Sequence, residues 1–340
     1  MKKKIGIGIV GYGSIGGHHL KAINDIAEAE VVAVSSRNIG KLNDRNELAG
    51  IKIYANHGDL INDEAVDMIS ICTPSGFHLE PALMAAKAGK HVLVEKPLEI
   101  SIERSKEMIK SCLEHKVKLA CIFQNRYSGD YLRLKKIVQS GDLGKLVLGN
   151  AYIKWFRDQA YYDTSDWKGQ LNGDGGAALI NQGIHTIDLL LDVMGPVKSV
   201  RAKVATMSRK IEGEDLGLAI LEFESGALGT IEGSTAIYAG FPEKLEIHGD
   251  AGSVILEKGE LVHDVNGPIV KGLSNTASGS SDPMAIDYKL HKAQIQEFVN
   301  NIISDTEPRV NGTEAIRAVE VINAIYKSSR ENEVIYLNQG

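Results

Sequence analysis

The chain has 340 residues, 43% hydrophobic and 24% charged, with a net charge of −6, the make-up of an ordinary globular protein of about two domains. The acidic balance excludes nucleic acid as the main partner, because there is no overall basic field to collect phosphates. No run is long and apolar enough to span a membrane, and the apolar stretch after "MKKK" is broken by Gly6, Gly8, Gly11 and Gly13, which argues against a signal peptide and for a cytoplasmic location.

In chain order, "IGIGIV" (5–10) predicts a strand, followed by a glycine turn and a helix running to Ile26. "EVVAVSS" (30–36) and "DMISICT" (67–73) predict strands, "HLEPALMAAKAG" (78–89) a helix, and "HVLVEK" (91–96) a strand. "SIERSKEMIKSCLEHK" (101–116) predicts a helix with Ser101 as N-cap, and "KLACIF" (118–123) a further strand. These strands are continuous apolar runs, the pattern of a parallel sheet covered on both faces, and the repeated β-α-β rhythm predicts a doubly wound sheet. Cys72, Cys112 and Cys121 fit no metal or redox spacing and read as buried thiols, so no metal site is expected.

After residue 123 the rhythm changes. A helix over 129–140 leads into the alternating strand "KLVLGNAYIKWFR" (145–157), a glycine loop and a helix over 177–194. Four more alternating strands are expected at 199–207, 215–225, 227–237 and 243–257, which implies an antiparallel sheet with one exposed face. Residues 264–285 read as a mobile Gly/Ser/Asn-rich loop, and helices at 287–304 and 313–330 close the chain.

"GYGSIG" places Gly11, Gly13 and Gly16 in G-x-G-x-x-G spacing between a strand and a helix. That context makes it a dinucleotide site: a tight turn, close backbone approach to a pyrophosphate, and helix N–H groups at Ser14 and Ile15 to receive it. The position about 20 residues further on, which reads the ribose, is Ser36, followed by Arg37. A hydroxyl and a guanidinium in place of an acid favour NADP, although NAD or NADP is compatible with the site. Ligands of such sheets sit beyond the carboxyl ends of the strands. That adds Thr73, Pro74, Ser75 and His78 from "CTPSGFH" and Glu95 with Lys96 from "EKP" to the cofactor crevice.

These pieces, with "QNR" at 124–126 and "GGAALINQGIHTIDLLLDVMGPV", resemble the Gfo/Idh/MocA family of sugar-related oxidoreductases over essentially the whole chain. The resemblance implies an α/β fold with two domains: an N-terminal Rossmann dinucleotide-binding domain, 1–123, and a C-terminal α/β domain, 124–340, with an open, mainly antiparallel sheet. The last helices would pack back on the N-terminal domain. It also implies Lys96 beside the nicotinamide, His185 as the second catalytic group, Gln124 near the cofactor, and a homodimer or homotetramer paired through the sheet. The run "KWFRDQAYYDTSDWKGQ" (154–170), Asn181-Gln182 and "EGED" (212–215) resemble the branch that oxidises UDP-N-acetylglucosaminuronic acid at C3. Two departures from that branch are Lys168-Gly169-Gln170-Leu171 after Trp167, and Ser36 at the ribose position.

At about 100° per residue, Asn181, His185, Asp188 and Asp192 form one polar stripe flanked by apolar residues. Such a stripe suits a helix edge lining a pocket, with Asp188 placed to orient His185. Oxidising a secondary alcohol needs a base near working pH; His185 meets this unperturbed, and Lys96 would stabilise the alkoxide or act as the base itself. Asn181 cannot take a proton and positions substrate. Arg157, Gln159, Tyr161, Tyr162, Trp167 and Lys168, with Asn181 and Gln182, form the expected substrate wall, cations for a carboxylate or diphosphate and aromatics for a sugar or uracil face. Tyr288 and His291 open a late helix that approaches the same crevice. The expected ligand is a sugar or nucleotide-sugar. The alternatives are an inositol or free-sugar dehydrogenase, an NAD-dependent glycosidase, and a non-catalytic cofactor-sensing regulator.

Overall fold

A computed structural model describes residues 4–42, 45–269 and 288–337. By its internal contacts the chain divides into two units, Met1–Gln124 with Asp287–Ile316, and Asn125–Ile286 with Arg317–Gly340. The boundary read from sequence lies after residue 123; the division by contacts falls one residue later and gives Asp287–Ile316 to the first unit.

The first unit alternates β1 (Ile5–Val10), α1 (Ser14–Asn24), β2 (Ala29–Ser35), β3 (Lys52–Tyr54), α2 (His57–Ile61), β4 (Met68–Ile71), α3 (Leu79–Lys87), β5 (His91–Val94), α4 (Ile102–Glu114) and β6 (Leu119–Cys121). Its six strands are parallel in the order β3-β2-β1-β4-β5-β6. This is the doubly wound order whose direction reverses between β1 and β4, so ligands belong beyond the ends of those strands. β1, β4, β5 and β6 are buried almost throughout, which explains their continuous apolar runs. Ser101 caps α4, its Oγ accepting the Arg104 N–H. The segment β3–α2 carries no strong apolar run and was not expected. Cys72, Cys112 and Cys121 are all buried.

The second unit continues with α5 (Gly129–Ser140), β7 (Leu146–Lys154), α6 (Gln159–Asp163), α7 (Leu171–Asp174), α8 (Ile184–Met194), β8 (Val197–Ala205), β9 (Leu216–Phe223), β10 (Leu228–Ser234), β11 (Lys244–Gly249), β12 (Ser253–Glu257), β13 (Glu260–Asp264) and β14 (Gly267–Pro268). After them come α9 (Lys289–Ser304) in the first unit, α10 (Gly312–Glu331), and β15 (Ile335–Tyr336) back in the second. The second sheet runs β14-β13-β12-β11-β7-β10-β9-β8-β15. Its neighbours are antiparallel except β7 and β10, which pair parallel. One expected strand, 243–257, is two: β11 and β12 fold back on each other, with the Gly249 N–H donating to the Gly252 carbonyl. Of the expected loop at 264–285, Asp264 ends β13 and Gly267–Pro268 form β14, while 270–285 lie outside the described residues.

Small residues let α8 and the segment before it sit close on this sheet. A Cβ at Gly149 would stand 2.8 Å from Met194, and one at Gly217 or Gly233 would meet Leu179 at 2.7 or 2.3 Å. The helix expected over 177–194 is a π-helical stretch, Ala178–Gly183, followed by α8. Apart from His185, Asp192 and Val193, α8 is buried all round.

Candidate functional site

In the first unit the chain leaves β1 through Gly11 at φ +90°. A Cβ there would meet Cys72 and Thr73 backbone atoms at 2.9 Å, so the turn closes only around glycine. At Gly16 a Cβ would lie 2.9 Å from the Gly11 carbonyl oxygen. Gly13 differs: a Cβ there would meet nothing within 4 Å. It is the N-cap of α1, whose first turn has no acidic residue and no side-chain cap. Gly13, Ser14 and Ile15 therefore present a helix N-terminus that favours an anion, which fits the pyrophosphate of a dinucleotide. Ser36 follows β2, its Oγ accepting the Asn38 N–H at 3.2 Å, and Arg37 beside it is exposed.

Beyond β4, the Thr73 hydroxyl donates to the Phe77 carbonyl at 3.0 Å, Pro74 opens the turn Ser75–Phe77, and Ser75 is buried. Gln124 is buried too, and among the described residues its Oε1 has no hydrogen-bond partner. Two expected cofactor residues are turned elsewhere. His78 is fully buried, its ring nitrogens 2.9 Å from the Pro97 carbonyl and 3.0 Å from the Thr73 carbonyl, so it ties the loop after β4 to the loop after β5. Glu95 is also buried. Its Oε1 lies 2.8 Å from His19 Nε2 and 3.5 Å from His291 Nε2, and its Oε2 accepts the Lys96 N–H at 3.1 Å. Burial acts to raise this carboxyl, but the two imidazoles outweigh it and hold it well below the usual carboxylate range. His291 thus joins Glu95 in the interior instead of opening onto a crevice, while Tyr288 donates its O–H to Asp25 at 3.0 Å. The donor atoms of His19, Glu95 and His291 lie within 4.8 Å of one another, a set that sequence spacing did not reveal.

In the second unit, Glu214 shapes the start of the π-helical stretch. Its Oε2 accepts the Ala177 N–H at 3.1 Å and its Oε1 the Leu179 N–H at 2.8 Å and the Tyr326 O–H at 3.0 Å. Burial raises its carboxyl. The π winding breaks the projection at about 100° per residue on which the single polar stripe rested. Asn181 instead donates from Nδ2 to Asp174 Oδ1. Asp188 is held by Arg126, whose Nε and Nη2 donate to its two oxygens at 2.8 and 2.7 Å. Asp192 receives Arg126 Nη1, Lys135 Nζ and the Tyr131 hydroxyl. His185 is half-buried in the first turn of α8.

Five expected substrate residues form one network. Arg157, 3% exposed, donates from Nε to Gln182 Oε1 at 3.1 Å and from Nη1 to the Phe156 carbonyl at 2.8 Å. Gln182 donates to the Tyr161 hydroxyl at 3.0 Å and to Asn181 Oδ1 at 3.4 Å. The Arg157 guanidinium lies 5.6 Å from the centre of the Tyr161 ring and the Lys168 ammonium 4.2 Å from it. Burial lowers the Lys168 pKa. Behind the network is Asp174, 1% exposed, whose Oδ2 accepts the Gly169 N–H at 2.9 Å. Asp174 was not expected; an acid within "NGDGG" reads as a turn residue, and only its contact with Asn181 gives it a role. Trp167 packs on Gly173, where a Cβ would stand 2.7 Å from it. Two expected wall residues serve otherwise. Tyr162 is buried with its hydroxyl 2.7 Å from Thr235 Oγ1, because it faces the sheet. Gln159 binds Lys210 N–H at 2.8 Å and Asp163 at 2.9 Å, pinning its own loop.

The two units match known families. Residues 5–123 match the oxidoreductase family with an NAD-binding Rossmann fold, and residues 131–255 match the GFO/IDH/MocA C-terminal domain. The WlbA dehydrogenase from Bordetella pertussis, solved in complex with NADH and UDP-GlcNAcA, superposes with a TM-score of 0.89 at 30% identity, covering 100% of this chain and 99% of that one. WlbA from Chromobacterium violaceum, solved with the same two ligands, superposes with a TM-score of 0.89 at 28% identity, covering 100% and 98%. Among curated relatives, the myo-inositol 2-dehydrogenase of Thermotoga maritima is 26% identical, with 98% of each chain covered.

Proposed function

Because the chain belongs to the Gfo/Idh/MocA family of oxidoreductases, an NAD(P)-dependent group acting on CH–OH, we propose that it oxidises a secondary hydroxyl of a nucleotide-linked sugar, namely C3 of a UDP-linked N-acetylamino-uronic acid. The observation that carries this reading is the pair of cations, Arg157 and Lys168, stacked on the one ring of Tyr161. A buried and a half-buried cation beside an aromatic face suit a carboxylate or diphosphate next to a ring. The ligands of the two WlbA structures support the same class. The inositol dehydrogenase relatives support a polyol as the second reading.

Gly11, Gly13, Ser14, Ile15 and Gly16 would hold the dinucleotide phosphates, with Ser36 and Arg37 at the ribose. When bound, the nicotinamide supplies the hydride acceptor. Lys96 and His185 manage the proton of the hydroxyl. We assign His185 the part of the base, with Lys96 donating to the developing alkoxide. The open face of the second sheet, with Leu218, Ile220 and Leu228 all about half exposed, would pair subunits into a dimer or tetramer. The buried thiols accord with a cytoplasmic setting.

The test is to incubate the protein with UDP-sugars, inositols and aryl glycosides, each with NAD and NADP, following absorbance and products. We expect reduced cofactor only with the UDP-amino-uronic acid, and a loss on the order of 10²-fold or more in Lys96→Met and in His185→Ala. Oxidation of inositols alone, hydrolysis without net reduction, or both variants turning over like the parent would sink the reading. Arg37→Ala should weaken NADPH more than NADH.

A further inference from the structure

The buried cluster of imidazole, carboxylate and imidazole in the first unit includes the residue before Lys96, and we propose that His19 and His291 are positioning residues that fix Lys96 through Glu95. The proposal rests on the reading that Lys96 acts on the substrate hydroxyl.

Glu95 leaves β5 with its N–H on the Ile71 carbonyl at 2.9 Å, so its backbone is anchored in the sheet. Its side chain turns back to accept the N–H of its own successor, Lys96, at 3.1 Å. That contact sets the direction in which the chain departs toward Pro97. The carboxylate is steered by the two imidazoles, one from α1 and one from α9. His19 is oriented in turn, its Nδ1 lying 2.7 Å from Ser70 Oγ on β4. His291 is oriented by its helix. Gln294, one turn on and 1% exposed, donates to the Cys121 carbonyl at 2.7 Å and accepts the Phe123 N–H at 3.0 Å. His291 Nδ1 is buried without a partner among the described residues, so the ring's polar contact is Glu95.

A carboxylate kept ionised at 6% exposure, beside imidazoles at 0% and 2%, is costly unless every lone pair has a donor. With the Ser70 hydroxyl donating to His19 Nδ1, the N–H groups of His19, His291 and Lys96 supply three. Apolar residues would fill the same space at less cost, but they would leave the Lys96 N–H without its acceptor. A cation on the same atoms is the competing account. The His19 to Glu95 separation of 2.8 Å is a hydrogen-bond length, whereas ligand atoms around a tetrahedral zinc ion lie about 3.3 Å apart.

The experiment is a double-mutant cycle on the full chain, with the most active substrate of the panel. His291→Leu should lower kcat on the order of 10²-fold while the KM for the dinucleotide stays within about twofold, as expected for a group misplaced by about 1 Å. His291→Gln, which restores an N–H near Nε2, should recover most of the loss. His291→Leu combined with Lys96→Met should be no slower than Lys96→Met alone, because both changes disable one device. Additive losses, or a fall in His291→Leu that Gln does not rescue, would overturn the proposal. So would one equivalent of zinc in the purified protein that disappears in His291→Leu. If Lys96→Met itself turned over normally, the catalytic reading of Lys96 would fail and the positioning claim with it, a result separate from failed coupling.

Discussion

Arg126 holds both carboxylate oxygens of Asp188, through Nε at 2.8 Å and Nη2 at 2.7 Å, with each side chain only 2% exposed. A fork-to-fork pair in a dry interior ties Asp188, and with it α8, to Arg126. Removing one partner strands the other charge, so Asp188→Ala should cost about 3–5 kcal/mol in urea unfolding. The histidine limb of the pH–rate profile should stay where it is. Movement of that limb by about one unit or more would return Asp188 to the role that helical spacing suggested.

Glu214 is the acceptor for two N–H groups at the entry to the π-helical stretch, those of Ala177 and Leu179. Glu214→Ala should cost at least about 2 kcal/mol, since two buried donors lose their partner. It should also slow turnover more than Tyr326→Phe, which removes only one donor to the same carboxylate. Equal effects from the two variants would show that the winding is held by something else.

The three glycines of "GYGSIG" should separate folding from binding. Gly16→Ala places a Cβ 2.9 Å from a backbone oxygen and should lower the melting temperature, whereas Gly13→Ala meets nothing within 4 Å and should leave it unchanged. The same Gly13→Ala should weaken NADH about tenfold or more, because it obstructs the approach of the pyrophosphate. Titration calorimetry and thermal melts on the two variants decide the matter, and unaltered NADH affinity in Gly13→Ala would remove the phosphate from this turn.

Burial lowers the pKa of His19, His78 and His91 in the folded chain. A histidine depressed on folding contributes stability above its unfolded pKa of about 6.5, and that contribution is lost as pH falls toward the folded value. The urea midpoint should therefore drop as pH is lowered from about 6.5 to 5, a window in which most carboxylates stay ionised. His91 Nδ1 accepts the Lys118 N–H at 3.1 Å. His91→Asn keeps an acceptor there without a titrating ring and should flatten the slope. An unchanged slope would mean that His91 does not contribute to it.

The legible parts were those governed by nearest neighbours in sequence. Continuous apolar runs marked β1, β2, β4, β5 and β6, and glycine spacing marked the turn after β1. β3 has only three residues, too few to show a period. The π winding of "ALINQG" has no compositional mark, and Glu214, which accepts two N–H groups at its entry, lies on a later segment. The charged pair Glu95-Lys96 was visible as an oddity at a strand end, but the direction of the carboxylate depends on His19 and His291, which the topology brings in from α1 and α9. Asp174 fails for the same reason: its partner Asn181 reaches it only after the glycine loop has folded. The break between β11 and β12 was available in "GDAG" and was outweighed by the alternation on either side.

The return of Asp287–Ile316 to the first unit has a consequence for the order in which the protein is made. Ile295, Phe298 and Val299 of α9 are fully buried in one cluster with Ile7, Ile9, Leu20 and Ile23, so the nucleotide-binding half lacks part of its core while the intervening half is being synthesised. A ribosome releasing residues 1–124 delivers a sheet with an uncovered apolar face and a Glu95 without His291. The first third of the message is therefore completed only by residues 287–316, and the second unit, which also takes Arg317–Gly340, is completed later still.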